Sequence, residues 1–301
     1  MTSLGFLESI WQDLSYGARL LRRNPTFAVV AILTLALGTG ANTAIFQLVN
    51  AVRLRTLPVA RPSELVEVRI VKTPHGRTGA FYGSRPALSN PLYERIRDEQ
   101  QVFASMMAWG GTTWNLAAGG EVRPAAGMYV SGSYFETLGV QAAVGRTIGT
   151  ADDVKGCAAP GVVISDAFWR REYAAATDVI GRAILLDGHR FDIVGVTPPS
   201  FSGVEVGRRF DVAAPLCAEA IFRGPRSALA LSDSWFIASF GRLKPGVTIE
   251  QASAQLGAMS RGIFPTIVSP RSRRRTSRSS RWVRCRRPPA SRGSVTPTAI
   301  R

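Results

Sequence analysis

The sequence predicts an α+β fold carried behind one membrane helix. Three observations lead there. A stretch from Pro25 to Val52 holds no charged residue. Residues 61–261 mix strand-like and helix-like patterns without a regular βαβ rhythm, which favours α+β over a doubly wound sheet. The last stretch, residues 262–301, carries 11 Arg and no acid. At 301 residues, 46% hydrophobic and 19% charged, the chain can bury a sizeable core and is not disordered throughout. Its net charge of +16 suggests a polyanion partner at first. Most of that charge sits in the arginine-rich end, and residues 1–261 are only mildly basic. Three Cys and two His are too few for a Cys/His metal cage or a dense disulfide framework.

Residues 1–24 read as an amphipathic helix on the cytoplasmic side, because Leu7, Ile10, Trp11, Leu14 and Leu21 share helical spacing. Packing of that face on protein is the alternative. Residues 25–52 read as the membrane helix. From Phe27 to Val52 it would run about 39 Å at ~1.5 Å per residue. That crosses a hydrocarbon core of about 30 Å with some tilt. A cleaved signal peptide is the competing reading, but 24 residues precede the apolar run and the run exceeds a usual signal core. Arginines flank the span on both sides, so the short N-terminal side decides for a cytoplasmic N-terminus. Ala36, Gly40 and Ala44 recur every fourth residue, a spacing that lets another helix approach closely. Asn42, Gln47 and Asn50 are costly against lipid and are expected to face protein or the interface. Ala36, Gly40, Ala44 and Asn42 are therefore the candidate helix-packing residues.

In the body, Val66, Val68 and Ile70 alternate as one face of a half-buried strand. Asn90-Pro91 reads as a cap and first helical proline, opening a helix with Leu92, Ile96 and Phe103 inward. Thr112–Ala118 and Glu121–Arg123 suggest a hairpin around Gly119-Gly120. Ile184–Leu186 and His189–Val196 form a better one, because Asp187-Gly188 suits a tight primed turn. Lys244-Pro-Gly246 is a turn. Thr248-Ile-Glu-Gln251 is a capping box that starts a helix with Ala252, Leu256 and Met259 inward.

Catalytic signals are lacking. There is neither a phosphate loop ending in Gly-Lys-Ser/Thr nor a Gly-x-Ser-x-Gly elbow. His75 and His189 read as solvated, and Asp152-Asp153 as a solvated loop whose adjacent carboxylates are poorly placed to act together. Cys157 and Cys217 can pair if the body lies outside the cytoplasm. Trp109, Trp114, Trp169 and Trp235 are not interleaved with bases and read as core or interface. The expectation is a protein that is not an enzyme, with no cofactor and no metal.

Several runs together resemble the MacB-like/FtsX-like ABC transporter permeases. They begin with Asp13-Leu-Ser-Tyr-Gly-Ala-Arg-Leu-Leu-Arg-Arg-Asn-Pro-Thr-Phe27 and Leu33-Thr-Leu-Ala-Leu-Gly-Thr-Gly-Ala-Asn-Thr-Ala-Ile-Phe46. Val130-Ser-Gly-Ser-Tyr-Phe-Glu-Thr-Leu-Gly-Val140, Gly145-Arg146, Phe168-Trp-Arg-Arg171 and Val179-Ile-Gly-Arg182 follow. Val194-Gly-Val-Thr-Pro-Pro-Ser-Phe201, Gly241-Arg-Leu-Lys-Pro-Gly-Val-Thr248 and Glu250-Gln-Ala252 complete the set, over about residues 10–268. The resemblance implies a periplasmic core domain of two α/β subdomains over 53–268, in the cell inner membrane. It implies an ABC ATPase acting in trans, other permease helices or a homodimer partner, and the lipid bilayer as surroundings. Nucleic acid is not an expected partner. The family normally continues with three more membrane helices, and none follows Pro270 here. The resemblance thus implies a C-terminally truncated permease subunit of an exporter or mechanotransmission complex, working by conformational relay. The alternative is a membrane-anchored periplasmic binding or adaptor module. Residues 269–301 are expected to be a disordered Arg/Ser/Pro-rich tail. Three readings compete for it: a frameshifted end, a tail for nucleic acid or anionic lipid, and an ordinary disordered terminus. The abrupt loss of acids after Glu250 favours the first.

Overall fold

The computed structural model describes residues 11, 16–17, 19, 21–49, 59–70, 77–78, 88–117, 119–157, 161–205, 207–267 and 283–286. The expectations for Leu7, Ile10, Leu14, Asn50 and His75 lie outside them. The chain forms two compact units, Met1–Arg55 and Thr56–Arg301.

The first unit contains helix α1, Pro25–Val49. Its threonines return their hydroxyls to the backbone four residues earlier: Thr34 to Val30 O at 2.6 Å and Thr39 to Leu35 O at 2.7 Å. That satisfies polar groups within the helix, as an apolar surrounding demands. Among the described residues, α1 is the one helix long and apolar enough to cross a membrane, over Pro25–Ala44.

The second unit is built on a ten-stranded mixed sheet. In chain order its elements are β1 (Leu65–Ile70), β2 (Arg77–Thr78, outside the main sheet), α2 (Asn90–Glu99), β3 (Phe103–Asn115) and β4 (Pro124–Val130). Next come α3 (Tyr134–Leu138), β5 (Val144–Gly145), β6 (Gly161–Ile164), α4 (Asp166–Tyr173), β7 (Ala183–Leu186) and β8 (His189–Val196). Then follow β9 (Val212–Pro215), α5 (Glu219–Arg223), β10 (Ser234–Trp235, paired with β2), β11 (Ala238–Leu243), α6 (Ile249–Ile267) and β12 (Val283–Arg286). The order across the sheet is β12-β1-β11-β3-β4-β9-β6-β8-β5, with β7 beside β8. Two contacts, β4 with β9 and β6 with β8, are parallel; the rest are antiparallel. This is the expected mixed α/β body, and its two halves share one sheet.

Both faces of that sheet are covered. Val66, Val68, Met106, Ala108, Val162 and Ile164 face one apolar cluster, which also takes in residues of α2, α4 and α6. Leu65, Met107, Trp109, Val130 and Val163 face another, closed by α3 and by Phe201, Val204 and Phe210. Strand residues alternate between the two clusters because successive side chains point to opposite faces. Strand β1 is therefore buried on both sides, not half-buried as its alternation suggested. Val66 and Val68 meet one cluster and Leu65 the other, while Glu67 is also buried.

The local signals hold well. Asp187 and Gly188 have φ of +47° and +80°, as a primed turn requires, and join β7 to β8. The capping box closes at α6: Thr248 N donates to Gln251 Oε1 at 2.9 Å, and Gln251 N to Thr248 Oγ1 at 3.2 Å. Ala252 and Leu256 are buried and Met259 half-buried. The glycine-turned hairpin exists, with strands longer than expected and its second arm starting at Pro124. Two expectations shift. Asn90 is the first helical residue and not the cap, which is Ser89; its amide is committed to Glu94 and to Leu229 O. Phe103 opens β3 and does not sit on the helix before it, because Gln100 ends α2 and its side-chain oxygen accepts from Phe103 N at 2.6 Å. Trp109, Trp114 and Trp235 are buried and Trp169 is half-buried, in keeping with core roles. Within the stretch expected to be a disordered tail, Val283–Arg286 is a strand paired with β1.

Cys157 and Cys217 are joined, with a sequence separation of 60. Restricting a loop of that length in the unfolded chain is worth about 4 kcal/mol in the chain-entropy account. Replacing both cysteines by serine is expected to lower the unfolding free energy of the body by about that amount. Denaturant titration of the two forms at equal ionic strength checks it, and an unchanged midpoint would show that the bridge constrains nothing.

Candidate functional site

Three places combine unusual chemistry with a position that matters: the α1 surface, the point where the chain enters the body, and a charged cleft beside the disulfide.

On α1 the candidate packing residues Ala36, Gly40, Ala44 and Asn42 are all exposed. A helix turns about 100° per residue, so Ala36, Gly40 and Ala44 lie along one face. Asn42 falls roughly 200° from Gly40, on the opposite face. The small residues and the asparagine thus do not form one patch. Any neighbour that receives the small-residue face leaves Asn42 pointing elsewhere.

The chain enters the body at residues 59–64, where one buried guanidinium organises it. Arg242 lies in β11, whose residues are buried throughout. Its Nε and Nη2 donate to Thr137 O at 3.0 and 2.7 Å. Nη2 also donates to Ala60 O at 2.7 Å, and Nη1 to Arg61 O and to Glu64 Oε2, both at 3.1 Å. Removing a guanidinium from water costs several kcal/mol, and such a group persists only where its donors are met. Here carbonyls of the entry segment and of α3 meet them. The C-terminal end of α3 is shaped to allow it. Gly139 has φ +68°, and a Cβ there would lie 2.5 Å from the Ala60 Cβ. Ala60 N donates to Leu138 O at 2.9 Å. Sequence reasoning missed Arg242 as an organiser. The available signal was a charge inside an otherwise apolar run, Ala238-Ser-Phe-Gly-Arg-Leu243.

Asp152 and Asp153 are not a solvated loop. Asp152 takes a two-pronged bond from Arg146, at 2.6 and 2.8 Å, and one from Gly149 N at 2.8 Å. Arg146, chiefly, holds its carboxyl below the usual carboxylate range. Asp153 turns the other way and accepts from Gly132 N at 3.0 Å and Cys217 N at 2.8 Å. Burial pushes its carboxyl up, and these two N–H groups oppose the rise only in part. The pair therefore ties the loop before Cys157 to β4 and to the disulfide. Beside it lies a cleft of about 300 Å³, lined by Tyr93, Glu94, Arg97, Asp153, Lys155 and Cys217. A second, of about 110 Å³, lies against Trp109, Thr112, Glu205 and Arg208, with the Trp109 indole donating to Glu205 at 3.2 Å. His189 is exposed at the start of β8, its ring 5.5 Å from that of Phe222. Among the described residues no group of three or more His, Cys, Asp or Glu could hold a metal ion.

The comparisons with known proteins agree with this architecture. A family model described as the MacB-like periplasmic core domain matches residues 28–259. The chain belongs to that family, whose members form the periplasmic part of MacB/FtsX-like ABC transporter permeases. Among solved structures, the periplasmic region of MacB from Actinobacillus actinomycetemcomitans is similar at 13% identity and a TM-score of 0.50, over 68% of this chain and 86% of that one. A permease domain from Porphyromonas gingivalis is 14% identical, with a TM-score of 0.48 over 80% of this chain and 95% of that one. The extracellular domain of the noncanonic ABC-type transporter YknZ from Gram-positive bacteria is 11% identical, with a TM-score of 0.46 over 65% and 95%. At 13% identity the likeness to the MacB periplasmic region is one of fold. No curated protein matches the sequence.

Two outcomes test the geometry. Arg242→Ala leaves four carbonyl and carboxylate acceptors without their donor and is expected to cost about 3 kcal/mol. Arg242→Lys, which lacks the planar fork, should restore less than half of that loss; urea unfolding of the three forms measures it. For Asp152, whose folded pKa is depressed, the stabilisation is present above its unfolded value and is lost as pH falls through the folded value. The stability gap between the native chain and Asp152→Asn should therefore be full at neutral pH and close on acidification. Asp153, raised by burial, contributes with the opposite sign between its ordinary and raised values. A gap independent of pH would show that Asp152 does not act through its charge.

Proposed function

We propose that this chain works as part of a permease subunit in an ABC-type exporter or mechanotransmission complex. In this reading α1 crosses the inner membrane with its N-terminus in the cytoplasm, and the body from Thr56 onward stands in the periplasm. An ABC ATPase acting in trans drives the complex, and this chain performs no catalysis of its own. Its contribution is a conformational relay.

The observation that carries the reading is the clamp at Arg242. The segment that follows the apolar helix in sequence is tied at Ala60, Arg61 and Glu64 to β11 and α3. A displacement of residues 60–64 then reaches the sheet through these bonds. The disulfide supports an oxidising compartment for the body. The two faces of α1 support a place inside a helix bundle. Ala36, Gly40 and Ala44 suit close approach of one neighbour, and Asn42 on the far side needs a second polar or protein contact.

Single cysteines placed at 36, 40, 42 and 44 test this in membranes that contain the partner helices. Crosslinks to a helix of one partner are expected at 36, 40 and 44, and to a different element at 42. Uniform labelling of all four by a lipid-phase reagent, without crosslinks, would mean a lone anchor. A reporter fused after residue 270 should read out the periplasmic side; a cytoplasmic signal overturns the orientation.

A further inference from the structure

Within the arginine-rich end of the chain, the segment Val283–Arg286 belongs to the body. β12 pairs antiparallel with β1, setting Val283 opposite Ile70, Arg284 opposite Arg69, Cys285 opposite Val68 and Arg286 opposite Glu67. Without it, β1 would be the edge of the sheet, with a row of unpaired backbone donors and acceptors beside core residues. Leu65, Val66 and Val68 are at most 1% exposed, so such an edge would cut into the core. β12 is held from a second side as well. Cys285 N donates to Ser253 Oγ of α6 at 3.1 Å. The Cys285 side chain is buried in the same apolar cluster as Val68, Ala252 and Leu256. Glu67, opposite Arg286 in the register, is a carboxylate only 4% exposed with the Arg69 guanidinium 3.9 Å away on its own strand.

We infer that the β1 edge and α6 together form a strand-acceptor site, filled in this chain by its own segment Val283–Arg286. The site recognises a short extended peptide segment. Its main-chain ladder with β1 supplies most of the attraction and is tolerant of sequence. Selectivity comes from one register position, a small apolar side chain opposite Val68. An arginine-rich segment can enter the fold because the strand period sends only Cys285 and its alternate neighbours toward the Val68 cluster. Its other positions carry the charge.

The full chain in detergent, with the Cys157–Cys217 bridge intact, carries Cys285 as its one free thiol. Burial also pushes that thiol up to about 12. Native labelling by a disulfide reagent at pH 8 is expected to be about 100-fold slower than labelling in denaturant, since it requires β12 to open. A native rate within about threefold of the denatured one would mean the strand does not dock. The acceptor is tested separately with Cys285→Arg, which displaces the segment. A fluorescent peptide bearing the sequence of residues 281–288 should bind this variant at one per chain and leave the native chain unbound. A control peptide with lysine at the Val283 and Cys285 positions should not bind. Equal binding of both peptides would reveal attraction by charge alone, and no binding to a variant that retains native circular dichroism would remove the acceptor site; either overturns the inference.

Discussion

The buried guanidinium of Arg242 is the constraint around which the body is arranged. A desolvated cation has few tolerable surroundings. This one is met by carbonyls from Ala60, Arg61 and Thr137 and by the Glu64 carboxylate. Those partners come from two places, residues 60–64 and Thr137, both far in sequence from Arg242. Meeting one fork of donors obliges the entry segment, α3 and β11 to take one mutual arrangement. The rest of the local geometry follows. Gly139 has no Cβ because Ala60 stands there, and Leu138 O accepts from Ala60 N. The motifs around residues 130–140 and 241–248 carry the family resemblance, and here they are the two walls of that clamp.

Charge elsewhere in the body serves the same end. Asp152 and Asp153 are adjacent in sequence yet work in different directions. One is bound to an exposed arginine, the other is sunk against backbone N–H groups beside the disulfide. Arg171 reaches Asp211, and Asp211 in turn accepts from Ala126 N. These pairs fasten loops to the sheet. An overall charge of +16 therefore says little about what the body binds, since most of its bases are matched by acids nearby or sit in the terminal stretch.

A sheet covered on both faces makes a stiff body, because close-packed interiors transmit displacement and do not absorb it. The clamp fixes residues 60–64 to that sheet. The α1 helix carries a small-residue face and an asparagine on opposite sides. The strand at residues 283–286 adds that even the most arginine-rich part of the chain contributes backbone to the fold.

Local chemistry in the sequence was enough for several elements. An uncharged apolar stretch specifies α1 by composition alone. Asp187-Gly188 specifies its hairpin because both residues tolerate positive φ, and Thr248–Gln251 specifies a helix start because the two side chains satisfy orphan N–H groups. The alternation of β1 was legible too, but not that both its faces are covered, because a neighbouring element decides burial. Arg242, Asp153, the Cys157–Cys217 pair and the docking of β12 depend on partners 21 to 182 residues away or on another strand's edge. No window of sequence contains both members of such a contact. Desolvation and hydrogen-bond satisfaction are properties of the assembled surroundings, so only the tertiary structure could decide which charges are buried, what they hold, and which end of the chain completes the sheet.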